Sequence, residues 1–417
     1  MSRRTTAIAA ALSVLALGVP LMTGCRAQSN VAGEVSNTAL DLNSDDILTI
    51  KDEIAKLSMS IETNPLDAIA YNNRGVSKKK LGDYQGAIVD YNKAIEINPQ
   101  YAYAYFNRGV AKKKLGDTQA AVSDYDKALE INPQYANAYY KRGSAKGDLK
   151  DYQGAIVDYN KAVEINPQDA DAFHDRGVTK RESGDYQGAI FDFSKAIEIN
   201  PQNSIAFASR GASKGTLEDY QGAISDFTAA LEINPQYADA YFNRGVAKKK
   251  LGDYQGAISD YTKALEINPQ NSIAYTNRGA VKVKLEDYQG AIADYTKAIE
   301  TNPNNSIAYH NRGGLKVESE DYQGAISDYT KAVEINPQYV GAYYNLATAK
   351  SVLKDYHGAI ADYAKVLEIN PQDVDTYYSR GVANMELGDR KNACIDFKKA
   401  ASLGDKDAAE WVRDQCQ

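Results

Sequence analysis

Proline recurs in this chain at a fixed interval: ten of its 11 prolines, from Pro65 to Pro371, stand 34 residues apart. Length alone, 417 residues, would suggest roughly three globular domains. An interval this constant instead means an array of one supersecondary unit. Counted from Ala68, ten copies run to Asp407, and the sixth reads ADAYFNRGVAKKKLGDYQGAISDYTKALEINPQN from Ala238 to Asn271.

The copies agree at places that define two helices. The fourth residue is always aromatic, from Tyr71 through Phe173 to Tyr377, and the eighth is Gly except at Ala347. With Leu at the fourteenth place, these give the first helix one apolar stripe. Apolar residues at places twenty, twenty-one, twenty-four, twenty-seven and twenty-eight follow the 3.6-residue period of a second helix. The twentieth is always Ala and the twenty-fourth Tyr or Phe; the fourth and twenty-fourth places together hold 15 of the 31 Tyr. Asp at the sixteenth place, Asp83 through Asp389, has the side chain to cap the second helix by accepting from its unpaired N–H groups. Asn-Pro ends that helix, because the residue before Pro is pushed out of the α region.

The aromatic, Gly, Ala, aromatic, Ala and Pro at these spacings resemble the signature of the tetratricopeptide repeat (TPR) family, over the whole body of the chain. The resemblance implies an all-α fold, a right-handed α-solenoid of ten helical hairpins whose first helices line a concave groove. Residues 44–65 lack a first helix, but Ile50, Ile54, Leu57 and Ile61 supply a second-helix stripe. Residues 408–417 restart the repeat with Trp411 in the fourth place and stop. Both ends read as capping helices, which solenoids need to shield their terminal apolar faces.

The N-terminus reads as an address. Arg3 and Arg4 precede an apolar run from about Ala7 to Leu21, an export signal in pattern. Leu21-Met22-Thr23-Gly24-Cys25 resembles the lipobox of bacterial lipoproteins, with Met22 where Leu is usual. That resemblance implies a signal peptide at 1–24, lipidation of Cys25, a flexible tether over 25–43, and a location at the cell envelope on the extracytoplasmic side. Cleavage after Ala27 by an ordinary signal peptidase is the alternative. No later run is long and apolar enough for a membrane helix.

The formal charge of −7 argues against a nucleic-acid partner, and three His and three Cys supply no multi-ligand metal site. Gly211-Ala212-Ser213-Lys214-Gly215 fits G-x-S-x-G, but it falls mid-helix, whereas a nucleophile elbow needs a strand-to-helix turn. The expectation is no enzyme and no cofactor. His174, His310 and His357 are too dispersed to pair and read as surface variations. The runs Lys78–Lys80, Lys112–Lys114 and Lys248–Lys250 favour the C-terminal dipole end of their helices and read as a solvated face.

Two recurrent polar places remain. Arg is seventh in nine repeats, with Leu346 the exception, and Asp is twenty-third in all ten. Because acid and base recur in step, a shielded ladder of bidentate pairs is favoured over an anion track. Asn occupies the sixth place as Asn73, Asn107, Asn243, Asn277, Asn311 and Asn345, while Lys141, Asp175 and Ser209 interrupt the row. In the TPR family this place faces the groove. An amide both donates and accepts, so an Asn row can hold an extended peptide backbone whatever its side chains. The family's carboxylate-clamp residues are missing from the fifth and ninth places. Cys394 and Cys416 either pair, stapling the C-terminal cap, or remain two buried thiols. The expected function is a scaffold for protein or peptide partners, membrane-anchored through lipid. The alternative is a structural assembly lipoprotein that uses subunit surfaces and not the groove.

Overall fold

The computed structural model describes residues 43–416; the expected signal peptide, Cys25 and the expected tether up to residue 42 lie outside the described residues. Among the described residues there are twenty-two helices and no strand. They fall into two compact units, one ending at Ala240 and one beginning at Tyr241.

The first unit opens with α1 (Ser44–Thr63) and continues as hairpins α2 (Ala68–Lys80) with α3 (Tyr84–Ile97), α4 (Ala102–Lys114) with α5 (Thr118–Ile131), and α6 (Ala136–Asp148) with α7 (Tyr152–Ile165). It goes on through α8 (Ala170–Glu182) with α9 (Tyr186–Ile199) and α10 (Ser204–Thr216) with α11 (Tyr220–Ile233). Helix α12 (Ala238–Lys250) starts at the boundary and is followed by α13 (Tyr254–Ile267). The second unit then adds α14 (Ser272–Lys284) with α15 (Tyr288–Thr301), α16 (Ser306–Glu318) with α17 (Tyr322–Ile335), and α18 (Val340–Val352) with α19 (Tyr356–Ile369). It ends with α20 (Val374–Glu386), α21 (Arg390–Ser402) and α22 (Lys406–Gln415).

Local chemistry sets these boundaries. In every repeat the sixteenth-place Asp accepts from the backbone N–H three residues on, as Asp83 does from Gly86 at 2.8 Å and Asp389 from Asn392 at 3.1 Å. The bond satisfies one of the orphan donors of the second helix. One residue before that cap, and two beyond the end of the first helix, the chain passes through a left-handed residue at the fifteenth place. Gly82, Gly116, Gly184, Gly252 and Gly388 hold it in five repeats; Lys150, Glu218, Glu286, Glu320 and Lys354 hold it, at φ 61–64°, in the others. Asn-Pro closes the second helix, and the Asn98 side chain turns the chain outward by accepting from the Gln100 N–H at 3.0 Å.

The core is thin and repetitive. Each twentieth-place Ala and twenty-fourth-place aromatic is buried, as Ala87 and Tyr91 are in α3. The eighth-place Gly lets the first helix lie directly on that ring. A Cβ on Gly75 would come within 2.6 Å of Tyr91 Cε1, so the contact admits no larger residue without rearrangement. At the C-terminus Trp411 of α22 packs on Phe397 of α21, ring centroids 4.3 Å apart, and this covers the last hairpin as a cap should.

Candidate functional site

The strongest polar constellation in each repeat is internal. In nine repeats the seventh-place Arg donates Nε and Nη2 to both oxygens of its own repeat's Asp; Arg176, for example, reaches Asp192 at 2.8 and 2.6 Å. Its ring neighbour is the fourth-place aromatic: the Arg176 guanidinium carbon sits 5.1 Å from the Phe173 centroid. In repeats two to five, seven and eight the third donor, Nη1, reaches back one repeat to the twenty-fifth place, as from Arg108 to Asn92 at 2.7 Å and from Arg278 to Thr262 at 2.9 Å; behind Arg380 that place is Ala364, which offers no side-chain acceptor. In the first repeat Arg74 makes the same bond to Ser58 of α1 at 3.2 Å, so the N-terminal cap stands in for the missing neighbour. The guanidinium is therefore committed within the fold, and the row offers no anion track.

A third member was misread in the sequence. The eleventh-place Lys also pairs with the Asp, Lys78 with Asp90 at 2.8 Å and Lys248 with Asp260 at 2.8 Å. These lysines lie against buried carboxylates and are no part of a solvated face. In the ninth repeat Leu346 replaces the Arg, and Asp362 is held by Lys350 at 2.6 Å. Burial raises the Asp362 carboxyl above its ordinary range, and Lys350 draws it back down. Arg312 and Arg380 keep to Asp328 and Asp396, so the bidentate pairing runs within repeats.

The sixth-place residues lie where consecutive first helices meet. Asn107 Nδ2 donates to Asn72 Oδ1 of the preceding repeat at 3.0 Å, and Lys249 Nζ donates to Asn277 Oδ1 of the following repeat at 2.7 Å. The row is not uniform. Asn73 is exposed and Asn107, Asn311 and Asn345 are half-buried, whereas Asn243 and Asn277 are buried. Asn277 also spends its amide on the Ile273 carbonyl at 3.0 Å. Burial, with the charge of Lys250 beside it, holds the Lys249 amine down at about 8.

At two of the interruptions in the Asn row, Lys141 and Asp175, charge takes its place. Tyr140 donates to Asp175 Oδ2 at 2.7 Å, and His174 Nδ1 lies 3.1 Å from Asp175 Oδ1. Lys141 Nζ sits 4.8 Å from the Tyr140 ring centroid, and Lys113 reaches Ser144 and Asp148 at 2.8 and 2.9 Å.

Two of the three histidines are not surface variations. His174 is 8% exposed and lies beside Phe193, and His310 stacks on Tyr339 with centroids 4.8 Å apart. Burial lowers the His310 imidazole to about 4, so it fills space as a neutral ring. His357 is exposed. Ser213 is wholly buried in α10, with its hydroxyl donating to the Ser209 carbonyl at 2.9 Å. Among the described residues no group of three or more His, Cys, Asp or Glu is placed to hold a metal, and no helix is long and apolar enough to cross a membrane. Cys394 of α21 and Cys416, just after α22, are joined in a disulfide with Cα atoms 5.7 Å apart.

Family models described as TPR repeat or tetratricopeptide repeat match this chain in succession. They cover residues 77–116, 102–135, 136–169, 170–203, 216–252, 238–271, 272–305, 315–350, 353–388 and 374–410. No curated protein matches it. Among solved structures, it is similar to the C-terminal part of a TPR repeat-containing protein from Cytophaga hutchinsonii, at 20% identity and a TM-score of 0.51 over 57% of this chain and 98% of that one. YrrB, described as a TPR protein with an unusual peptide-binding site, is 28% identical with a TM-score of 0.41, over 44% of this chain and 95% of its own. MamA is 28% identical with a TM-score of 0.38, over 41% of this chain and 94% of its own. Ten in-register repeats, each with the helix pair, the buried aromatic and the close-packed glycine or alanine described above, make this chain a member of the tetratricopeptide-repeat family of protein–protein interaction scaffolds.

Proposed function

We propose that this protein holds extended segments of partner proteins along the faces formed by consecutive first helices, and that a lipid on Cys25 keeps it at the bacterial envelope. The reading rests on one observation: sixth-place side chains reach the first helix of a neighbouring repeat, Asn107 donating to the fifth-place Asn72 and Asn277 accepting from the twelfth-place Lys249. A chain laid across the first helices of the first two repeats, or of repeats six to nine, would meet amide donors and acceptors at each sixth place. Such groups pair with a peptide backbone irrespective of its sequence. The half-buried Asn107, Asn311 and Asn345 and the exposed Asn73 are the residues available for this. The buried Asn243 and Asn277 support the strip from beneath.

A second reading, assembly through outer subunit surfaces, draws on a different row. Val89, Val157 and Phe191 occupy the twenty-second place of the second helix and are each more than half exposed. Photo-crosslinking groups placed at Asn311 and Asn345, and separately at Val89 and Val157, distinguish the two. Partner adducts at the Asn positions, lost in an Asn311→Ala/Asn345→Ala variant probed from Asn107, are the expected outcome. Adducts confined to Val89 and Val157 would overturn groove binding in favour of outer-surface assembly.

A further inference from the structure

The first turn of α18 carries a backbone donor with no acceptor. Asp67 caps α2 by accepting from the Ile69 and Ala70 N–H groups at 2.9 and 3.0 Å. Before α18 the corresponding residue is Tyr339, whose side chain makes no cap and whose ring lies on His310 instead. The Ala342 N–H turns to the Tyr339 carbonyl at 3.0 Å, and among the described residues nothing accepts from the Gly341 N–H. Gly341 holds the second place, which Ile69, Ile205, Ile273 and Ile307 fill in other repeats. A Cβ there would meet, beyond its own helix, only His310 Cε1 at 3.7 Å and Tyr339 Cε2 at 3.8 Å. The glycine therefore opens a recess onto the edge of the imidazole. His310 is 4% exposed, and its Nδ1, bonded to that same Cε1, is buried without a partner. Before α6, by contrast, the uncapping Tyr135 covers Phe106, which carries no polar atom.

We propose that this recess takes the carboxylate of an Asp or Glu side chain on a captured partner segment. The inference rests on the reading that first-helix faces bind extended segments, and it adds a recognition site for one residue of the segment. One carboxylate oxygen accepts from the Gly341 N–H, supplying from outside the cap that Tyr339 does not make; the other accepts from His310 Nδ1 with the ring proton placed there. The N-terminus of a helix favours an anion at this point. Burial is the sole cause that lowers the His310 imidazole, so no charged side chain of this protein already serves the ring. Asn311 follows His310 in the chain, and Asn345 stands one helical turn beyond Gly341. A segment held by both amides runs past the recess, so a side chain and not a chain end delivers the charge.

The test is fluorescence anisotropy of the full chain in detergent with labelled, end-blocked Ser-Gly peptides of equal length, one with a central Glu and one with Gln in its place. The Glu peptide is expected to bind at least about tenfold more tightly than the Gln peptide, and to shift the imidazole resonances of His310. Gly341→Ile installs the residue that four other repeats carry and is expected to abolish the difference. His310→Phe, matching Phe106 and Phe242 at the same place, is expected to reduce it about threefold. Both variants draw on residues the array already accommodates, so their circular dichroism is expected to match the parent's. Equal affinity for the Glu and Gln peptides overturns the proposal, as does a Glu preference that survives in both variants, which puts the carboxylate elsewhere. Tighter binding of a Ser-Gly peptide with a free C-terminal carboxylate than of the Glu peptide overturns it in favour of a chain end. No peptide binding alongside intact crosslinks at Asn311 and Asn345 overturns the carboxylate site and leaves peptide capture standing. Absence of both overturns both.

Discussion

Asp362 shows what holds the ladder together at the level of single residues. Nine repeats give the buried twenty-third-place Asp a bidentate Arg, and eight of those add a Lys; in the tenth, Asn384 replaces the Lys and donates to Asp396 at 3.1 Å. Asp362 alone depends on a single Lys. Removing one partner of a shielded pair leaves an uncompensated charge, at a cost of about 3 kcal/mol. Lys350→Met is therefore expected to destabilise its repeat by that amount at neutral pH. Lys282→Met, whose Asp294 keeps Arg278, is expected to cost only about 1 kcal/mol. Chemical denaturation followed by circular dichroism compares them. The sign of the pH dependence follows from the raised Asp362 carboxyl. An acid raised in the folded state contributes stability below its unfolded range and loses it as pH rises through its folded value. Lys350→Met raises it further, so the variant's deficit is expected to shrink as pH falls through the carboxylate range. The Arg–Asp pairing was legible from two residues recurring in step. The Lys was not, because a Lys run near a helix end looks the same in sequence whether its first member turns inward or not. The burial of His174, Asn243 and Asn277 was hidden for a related reason: what covers them comes from other helices.

Individual helices were the most legible level. The Asp cap, the Asn-Pro stop and the 3.6-residue stripe each act within a few residues, and the second helices of the first nine repeats obey all three. Less visible was the left-handed fifteenth place, where Gly in half the repeats gives way to Lys or Glu; only the backbone angle reveals the shared conformation. The C-terminal cap depends on a covalent link across elements. A disulfide with a sequence separation of 22 closes a loop whose constraint is worth roughly 3 kcal/mol in the chain-entropy account. Because α22 touches only the last hairpin, that constraint acts locally. Cys394→Ser is expected to speed amide hydrogen exchange in α22 and α21 by about a hundredfold, as mass spectrometry would read it, while exchange in α2–α11 stays unchanged. Equal exchange in the variant and the parent would mean that the Trp411–Phe397 contact alone holds the cap.

At the scale of the whole molecule, nearest-neighbour contact between helices replaces a single core. Within each unit, Arg Nη1 bonds such as Arg108–Asn92 and Arg278–Thr262, and first-helix contacts such as Asn107–Asn72 and Lys249–Asn277, tie a repeat to its neighbour, so a repeat depends on those beside it. The proposed lipid anchor belongs to this scale, since it would fix where the array operates without touching how it folds. Cys25→Ser is expected to abolish incorporation of labelled palmitate and shift the protein from the detergent phase to the aqueous phase on Triton partition, with the helical circular dichroism signal retained. Retained label in that variant would refute lipidation at this cysteine.

By itself the sequence determined the repeat, its length, its two helices, their caps and the family, because helix periodicity, capping and proline stops are properties of neighbouring residues along one chain. It also marked the Arg and Asp rows through their matched recurrence. Only the tertiary structure decided which lysines complete the ladder, which asparagines of the sixth place are buried, and that Cys394 and Cys416 meet. Those outcomes depend on the distance between side chains held by different helices, and on how much water is excluded between them.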